Sequence, residues 1–303
     1  MIKFNNFRNR ELNRGNVFCI IRNLEERDSK AGKYVVFTLF DGELEIQARM
    51  WNTSLLSLSV SKDDVVNVLL ESKDFNGSLT YVVTNYDRTT KYSKDYFIAK
   101  APVDAEVMYD YIMENISSLK NETLKYIAEK LYTDYKKELL IWPAAKRFHH
   151  DVQAGLLYHI YRMLKSGEAI VQNSYDNLDI EMVKVGIILH DIGKLLEMKP
   201  TETGNGEYTI DGELFGHLYL GMRMIANVVN SKAIDFDQKT VTHLLHIIAS
   251  HHGTYEFGAI SLPKTKEAYL VSQIDMIDSK LYVYEKNDNT LKPGEFNPEF
   301  VKL

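Results

Sequence analysis

The chain is expected to fold as an α+β protein of two domains, a small closed β-barrel followed by an all-α bundle. Three observations carry this. Residues 17–86 contain five short runs rich in β-branched and aromatic side chains, separated by turn-forming residues. From about residue 104, apolar residues recur at three- and four-residue intervals. Between them, residues 88–103 (RTTKYSKDYFIAKAPV) show no clear period and include Pro102. The resulting boundaries are 1–87 for the barrel, 88–103 for a connector, 104–286 for the helical domain and 287–303 for a tail.

The first 33 residues hold eight Lys/Arg against four acids, a local charge of +4 in a chain whose net charge is −6. They are expected to form a solvated, partly disordered arm or a phosphate-contacting segment. No apolar core of a signal peptide is legible in MIKFNNFRNRELNRGN. The overall charge argues against a protein that coats nucleic acid without selectivity.

VFCII, YVVFTLF, ELEIQARMW, VVNVLL and LTYVVT are the five expected strands, with turns at KAGK, Asp41–Gly42 and Asn76–Gly77. In the third, Leu44, Ile46, Ala48 and Met50 alternate with Glu43, Glu45, Gln47 and Arg49, the pattern of a half-buried strand. Five strands in about 70 residues suit a barrel of the oligonucleotide/oligosaccharide-binding (OB) type. Such barrels bind single strands through aromatic stacking and cationic side chains. Tyr34, Phe37, Trp51, Phe75 and Tyr81 are the candidate stacking residues, although some of them must fill the barrel interior.

Seven helical segments follow. They begin at VDAEVMYDYIMENISSL and NETLKYIAEKLYTDYKKELLIW, are interrupted by Pro143, and end with KTKEAYLVSQIDMIDSKLYVYEK. No stretch reaches the roughly 18–20 apolar residues that span a bilayer. The lone cysteine, Cys19, excludes an internal disulfide and a cysteine-built zinc site, and is consistent with a reducing cytoplasm. Self-association through exposed apolar helix surface is a further expectation.

All nine histidines fall between positions 149 and 252. Several occupy helix positions otherwise filled by Leu, Ile and Met. A buried imidazole costs free energy unless it is hydrogen-bonded or metal-bound. Five or six of them converging from four helices point to metal ligation. His190 and Asp191 follow the apolar run VKVGIIL, about 100° apart on a helix, and can reach one side of a cation. Lys194 lies one turn on, where it could pair with Asp191 or hold a substrate phosphate. With His159 and Asp275 they make a mixed N/O set suited to Mn²⁺, Fe²⁺, Co²⁺ or Zn²⁺ rather than Ca²⁺. His217, His251 and His252 could complete a second position, with Asp191 bridging two ions. His243 and His246 are expected outside this set. Asp278, three residues after Asp275, is expected to orient a ligand.

The order of these residues resembles the HD-domain phosphohydrolase superfamily. PAAKRFHHDVQAGLLYH (143–159), HDIGK (190–194), GHLYLG (216–221), ASHHG (249–253) and PKTKEAYLVSQIDMIDSK (263–280) are similar to the signatures of the YhaM family of 3′–5′ exoribonucleases. The resemblance implies an OB barrel followed by an HD domain. It also implies Mn²⁺-dependent release of nucleoside monophosphates from the 3′ end of single-stranded RNA, and in some members DNA. Carried over by motif, His159, His190, Asp191 and Asp275 are the metal ligands, and His217 and His251 are additional histidines. Asp191, Lys194 and His252 are the expected catalytic groups. His149, His150 or His252 would protonate the leaving 3′ oxygen or grip the terminal phosphate. The chain departs from the family at Ala154, where the first of two glycines is usual, and at Tyr158, where an acidic residue is usual; both bear on substrate fit. Two other readings stay open: an HD enzyme acting on free or cyclic nucleotides with a regulatory barrel, and a single-strand-binding protein without catalysis.

Overall fold

The computed structural model describes residues 1–30, 32–75, 78–144, 152–172, 177–201, 206–288, 296–297 and 300–301. The chain divides into two compact units, residues 1–99 and 100–303.

The first unit is a closed barrel of β1 (Arg14–Ser29), β2 (Gly32–Phe40), β3 (Glu45–Trp51), β4 (Val65–Phe75) and β5 (Ser78–Arg88), in the order β1-β2-β3-β5-β4. Every pairing is antiparallel except β3 with β5. This is the OB topology. Closure depends on β1, whose first half pairs with β4 and whose second half pairs with β2. A register shift between Ile21 and Asn23 marks where it bends from one partner toward the other. Period-2 alternation then fills the interior with Val17, Cys19 and Ile21 from β1, Val35, Phe37 and Leu39 from β2, and Ile46 and Ala48 from β3.

The basic N-terminal segment is not an arm. Phe4–Arg8 form helix α1, and Phe4 and Phe7 are fully buried in the barrel core. Asp41 holds this helix in place. One of its oxygens accepts from Phe4 N at 2.6 Å, and the other accepts from Glu43 N and Leu44 N. The Asp-Gly pair therefore does more than turn the chain between β2 and β3. The local positive charge is largely spent inside the barrel unit: Lys3 pairs with Glu43, Arg10 with Asp74, Arg14 with Glu71, Arg22 with Glu45, and Lys33 with Glu26. The expected connector is also partly ordered. A 3₁₀ turn at Lys94–Phe97 buries Phe97 against Ile20, Phe40 and Val65.

The second unit is helical: α2 (Ala105–Ser117), α3 (Glu122–Asp134), α4 (Lys136–Leu139), α5 (Gly155–Val171), α6 (Ile180–Leu189), α7 (Lys194–Glu197), α8 (Ile210–Asn230), α9 (Gln238–Ser250) and α10 (Lys266–Asp288). A short hairpin, β6 (Met198–Pro200) with β7 (Gly206–Tyr208), joins α7 to α8. Most of the expected tail lies outside the described residues; Phe296–Asn297 (β8) pairs with Phe300–Val301 (β9). No described helix is long and apolar enough to cross a membrane.

The unusual apolarity of α6 has a positional cause. Met182, Val183 and every residue from Val185 to Leu189 are buried, because α3, α5, α9 and α10 all pack on this helix. α6 ends at Leu189, one residue short of the His-Asp pair. From there the chain tightens into i→i+3 hydrogen bonds: Ile192 N to Leu189 O, Lys194 N to Asp191 O and Leu195 N to Ile192 O. His190 thus caps the regular helix, its N–H donating to Gly186 O, and Asp191 begins a 3₁₀-like continuation.

Two perturbations should read out this construction. Phe7→Ala removes a side chain with no solvent exposure and is expected to destabilise the barrel by about 3–5 kcal/mol. Faster amide hydrogen exchange in β1 and β4 would register that loss, and unchanged exchange would refute this role of α1 in the barrel core. Ala154, preceding α5, has φ 59° and ψ 19°, the left-handed region that favours glycine. Ala154→Gly should therefore raise the unfolding free energy of the helical unit by roughly 0.5–1 kcal/mol. A fall in its melting temperature would contradict this.

Candidate metal centre

One carboxylate organises the site. Asp191 is 2% exposed and carries a different set of partners on each oxygen. Its Oδ2 lies 2.7 Å from Lys194 Nζ, 3.2 Å from His190 Nε2 and 3.9 Å from His159 Nε2. Its Oδ1 lies 3.4 Å from His217 Nε2 and 3.7 Å from His251 Nε2. Asp275 closes the first set, with Oδ1 3.2 Å from His159 Nε2. His252 borders the second, its Nε2 3.1 Å from that of His217. The donors come from α5, the turns after α6 and α9, the interior of α8, and α10.

Each ring is turned inward by a contact at its other nitrogen. His190 Nδ1 lies 2.8 Å from Ile187 O, and His251 Nδ1 lies 2.9 Å from Ile248 O, each a carbonyl three residues back. His252 Nδ1 meets Phe257 O at 2.8 Å, His159 Nδ1 meets Asp278 Oδ2 at 2.8 Å, and His217 Nδ1 meets Glu197 Oε1 at 2.8 Å. All five partners are hydrogen-bond acceptors, so all five Nδ1 atoms donate. In the neutral ring the lone pair then sits on Nε2, facing the cluster.

Two backbone devices make this convergence possible. Gly216 has φ +67° within α8, so the helix breaks there and restarts at His217. Glu197 Oε1 accepts the freed His217 N–H at 3.0 Å as well as its ring. Gly193 has ordinary dihedrals, but a Cβ there would lie 2.0 Å from His217 O and 2.5 Å from Gly221 N. The HDIGK turn can press directly on the α8 backbone only because that position is glycine.

Electrostatics follow from burial and pairing. Burial alone would push the Asp191 carboxyl up; the Lys194 charge and His190 hold it well below the usual carboxylate range. Burial would lower Lys194, and Asp191 outweighs it and raises the ammonium. Lys194 is therefore spent on Asp191. Burial depresses the His159 imidazole, yet the hydrogen bonds it donates to Asp275 and Asp278 lift it to about 9. His251 is lowered well below the usual histidine value by burial and then by His190, and His252 by burial and then by His217.

The donor set fits a divalent transition metal. His190 Nε2 is sealed from solvent and has no hydrogen-bond partner among the described residues, which a core histidine does not tolerate without cost. The Nε2 atoms of His217 and His252 meet at hydrogen-bond distance while both Nδ1 atoms donate elsewhere. A proton or a cation must lie between two such lone pairs. Three sets of ligand atoms lie within 4.8 Å of one another: His159, His190 and Asp191; His190, His251 and Asp275; and His217, His251 and His252.

His243 and His246 stay outside. The first contacts Thr265 Oγ1 at 2.9 Å, and the second accepts from Lys264 N at 2.9 Å. His149 and His150 lie outside the described residues, as does the side chain of Phe75. In the barrel, Phe37 is not a surface residue: it has no exposure, because β2 alternation turns it inward with Val35 and Leu39. Tyr81 is half-buried against the same core. Trp51 is 44% exposed and packs with Tyr34 across the β2–β3 register, ring centroids 4.7 Å apart. Sequence reasoning missed Glu197, whose only signal is its place one turn after HDIGK on the same short helix.

Residues 156–280 match the model of the HD domain. The chain thus contains an HD domain, a domain of metal-dependent phosphohydrolases. The barrel is similar to a solution structure, the second OB-fold domain of replication protein A from Methanococcus maripaludis. The identity is 25%, over 27% of this chain and 88% of that one, with a TM-score of 0.21. The assignment of the barrel itself rests on its strand order.

Glu197→Ala should free the His217 ring and weaken Mn²⁺ binding about 10–100-fold, whereas Glu197→Gln, which keeps an acceptor oxygen, should lose far less. Calorimetric titration of both variants checks this. Equal losses would show that charge, not orientation, is what Glu197 contributes.

Proposed function

We propose that the chain is a metal-dependent 3′–5′ exonuclease that hydrolyses single-stranded RNA, with single-stranded DNA as a second substrate, and releases nucleoside monophosphates. The observation that carries this reading is the convergence of His159, His190, Asp191, His217, His251 and Asp275 on one buried cluster. His159, His190, Asp191 and Asp275 would hold one divalent ion. His217, His251 and Asp191 would hold a second, with His252 beside it. Mn²⁺ is the preferred ion on family resemblance, and Fe²⁺, Co²⁺ and Zn²⁺ suit the same N/O donors. The bound cation would supply positive charge that polarises a phosphoryl oxygen and acidifies water.

The chain's own groups act around that charge. Lys194 keeps Asp191 ionised and fixes its Oδ2, so that Oδ1 points toward His217 and His251. The alternative role, in which Lys194 offsets charge on a substrate phosphate, would require it to release Asp191. His252 presents Nε2 at the less buried edge of the cluster and serves as the proton-transfer group or as a further ligand. In the barrel, exposed Trp51, packed on half-buried Tyr34, offers a stacking surface for unpaired bases. That surface favours a polymeric substrate over a free or cyclic nucleotide. The costly burial of His190 Nε2 speaks against a binding protein without chemistry. Self-association has no support of its own: exposed Ile210, Leu214 and Phe215 supply apolar area without identifying what covers it.

An oligonucleotide labelled at its 5′ end, incubated with Mn²⁺, should shorten stepwise from the 3′ end. Asp191→Asn should abolish shortening while leaving oligonucleotide affinity within about twofold. Tyr34→Ala with Trp51→Ala should instead weaken binding by about 1–3 kcal/mol per lost stacking contact and leave hydrolysis of dinucleotides intact. Undiminished digestion by Asp191→Asn would rule out the assignment. Preferential hydrolysis of free nucleotides would replace it with the small-substrate reading.

A further inference from the structure

We infer that Arg162 is a positioning residue that dictates, through Asp278, which nitrogen of His159 carries the lone pair; the inference rests on the reading of His159 as a metal ligand. Asp278 is buried on α10 and divides its oxygens between two groups of α5. Oδ2 is 2.8 Å from His159 Nδ1 and Oδ1 is 2.6 Å from Arg162 Nε. His159 and Arg162 are three residues apart, so one turn of α5 presents both to the same carboxylate. The guanidinium is itself held, 5.6 Å over the Tyr158 ring with Nη1 3.5 Å from the Tyr158 hydroxyl. Tyr158, where the resembled family carries an acidic residue, thus supports the arginine without competing with Asp278 for its charge.

The consequence is one of donor and acceptor logic. A guanidinium only donates, so whatever atom of residue 278 faces Arg162 must accept. A carboxylate accepts on both sides, so His159 Nδ1 must donate, and the neutral ring, the form that binds a cation, then has its Nε2 lone pair toward Asp191 and Asp275. An amide at 278 cannot do this while Arg162 is present. Arg162 would claim its oxygen and turn its NH₂ group to His159 Nδ1. That nitrogen would then have to accept, and the proton would move to Nε2. An Nε2–H imidazole cannot bind a cation from that side. Arg162 therefore makes the site intolerant of an otherwise isosteric change at 278. Without Arg162 the amide could rotate, accept from Nδ1 through its oxygen and restore the ligand.

The test is a Mn²⁺ titration by calorimetry on the full chain. Asp278→Asn should bind about 10–100-fold more weakly than wild type. Arg162→Leu alone should lose only a few-fold, because Asp278 still accepts from His159. The pair Asp278→Asn/Arg162→Leu should bind more tightly than Asp278→Asn alone. The pair Asp278→Asn/Arg162→Lys, which retains a donor-only group, should stay as weak as Asp278→Asn. Misfolding cannot imitate this pattern, since it requires a second substitution to regain affinity. If both double variants bind as weakly as Asp278→Asn or more weakly, the role given to Arg162 is wrong while the metal reading stands. If wild type binds no Mn²⁺, the metal reading fails and this inference falls with it.

Discussion

The helical unit is built around the Asp191 carboxylate, an ionised group taken out of water. Burying Asp191 is strongly unfavourable unless its charge is met on every side. The structure meets it with Lys194 and with imidazoles on both oxygens. Those imidazoles are in turn buried, with Nε2 atoms directed at one another and at Asp191. Each ring already donates through Nδ1, so a ring that is neutral offers the cluster its Nε2 lone pair. The surplus of inward lone pairs and carboxylate oxygens is what makes a divalent cation the natural completion of the core. Packing, hydrogen bonding and chemistry are here one problem with one solution.

Precision at that centre comes from groups that would not be recognised as part of it. Carbonyls three residues back fix His190 and His251, so the helical backbone itself sets their orientation. His217 needs more help, because it sits after a break in α8. Gly216 makes the break, Gly193 lets the preceding turn press against it, and Glu197 holds both the backbone and the ring. His159 depends on Asp278 and through it on Arg162. The imidazoles nearest Asp191 are thus held by two kinds of anchor, local and long-range. The long-range ones tie α5 to α10 and α7 to α8.

Much of this was legible in the chain, for physical reasons that differ by element. The alternation in β3 is enforced by having one wet and one dry face, so Ile46 and Ala48 point inward as the pattern requires. The apolarity of α6 and the confinement of histidines to 149–252 announced a buried polar cluster. Other features leave no local trace. Phe4 and Phe7 lie in a polar, basic stretch, and only the barrel core they join explains their burial. Phe37 and Trp51 look alike as candidate stacking residues, and only strand register separates the core ring from the exposed one. The end of α6 before His190 is a matter of one hydrogen-bond step, below what periodicity resolves. Glu197 and Arg162 act across helices, and spacing along one helix does not identify their partners, His217 and Asp278, on another. Ala154 is a departure whose meaning appears only with its left-handed dihedrals.

The central claim is that cations bind on both sides of the Asp191 carboxylate. Anomalous diffraction from crystals soaked in Mn²⁺ addresses it without reference to any substrate. The account predicts anomalous density among Asp191, His159, His190 and Asp275, and a second peak toward His217 and His251 at higher Mn²⁺ concentration. Density confined to the surface, with Asp191 bound only by Lys194, would contradict it.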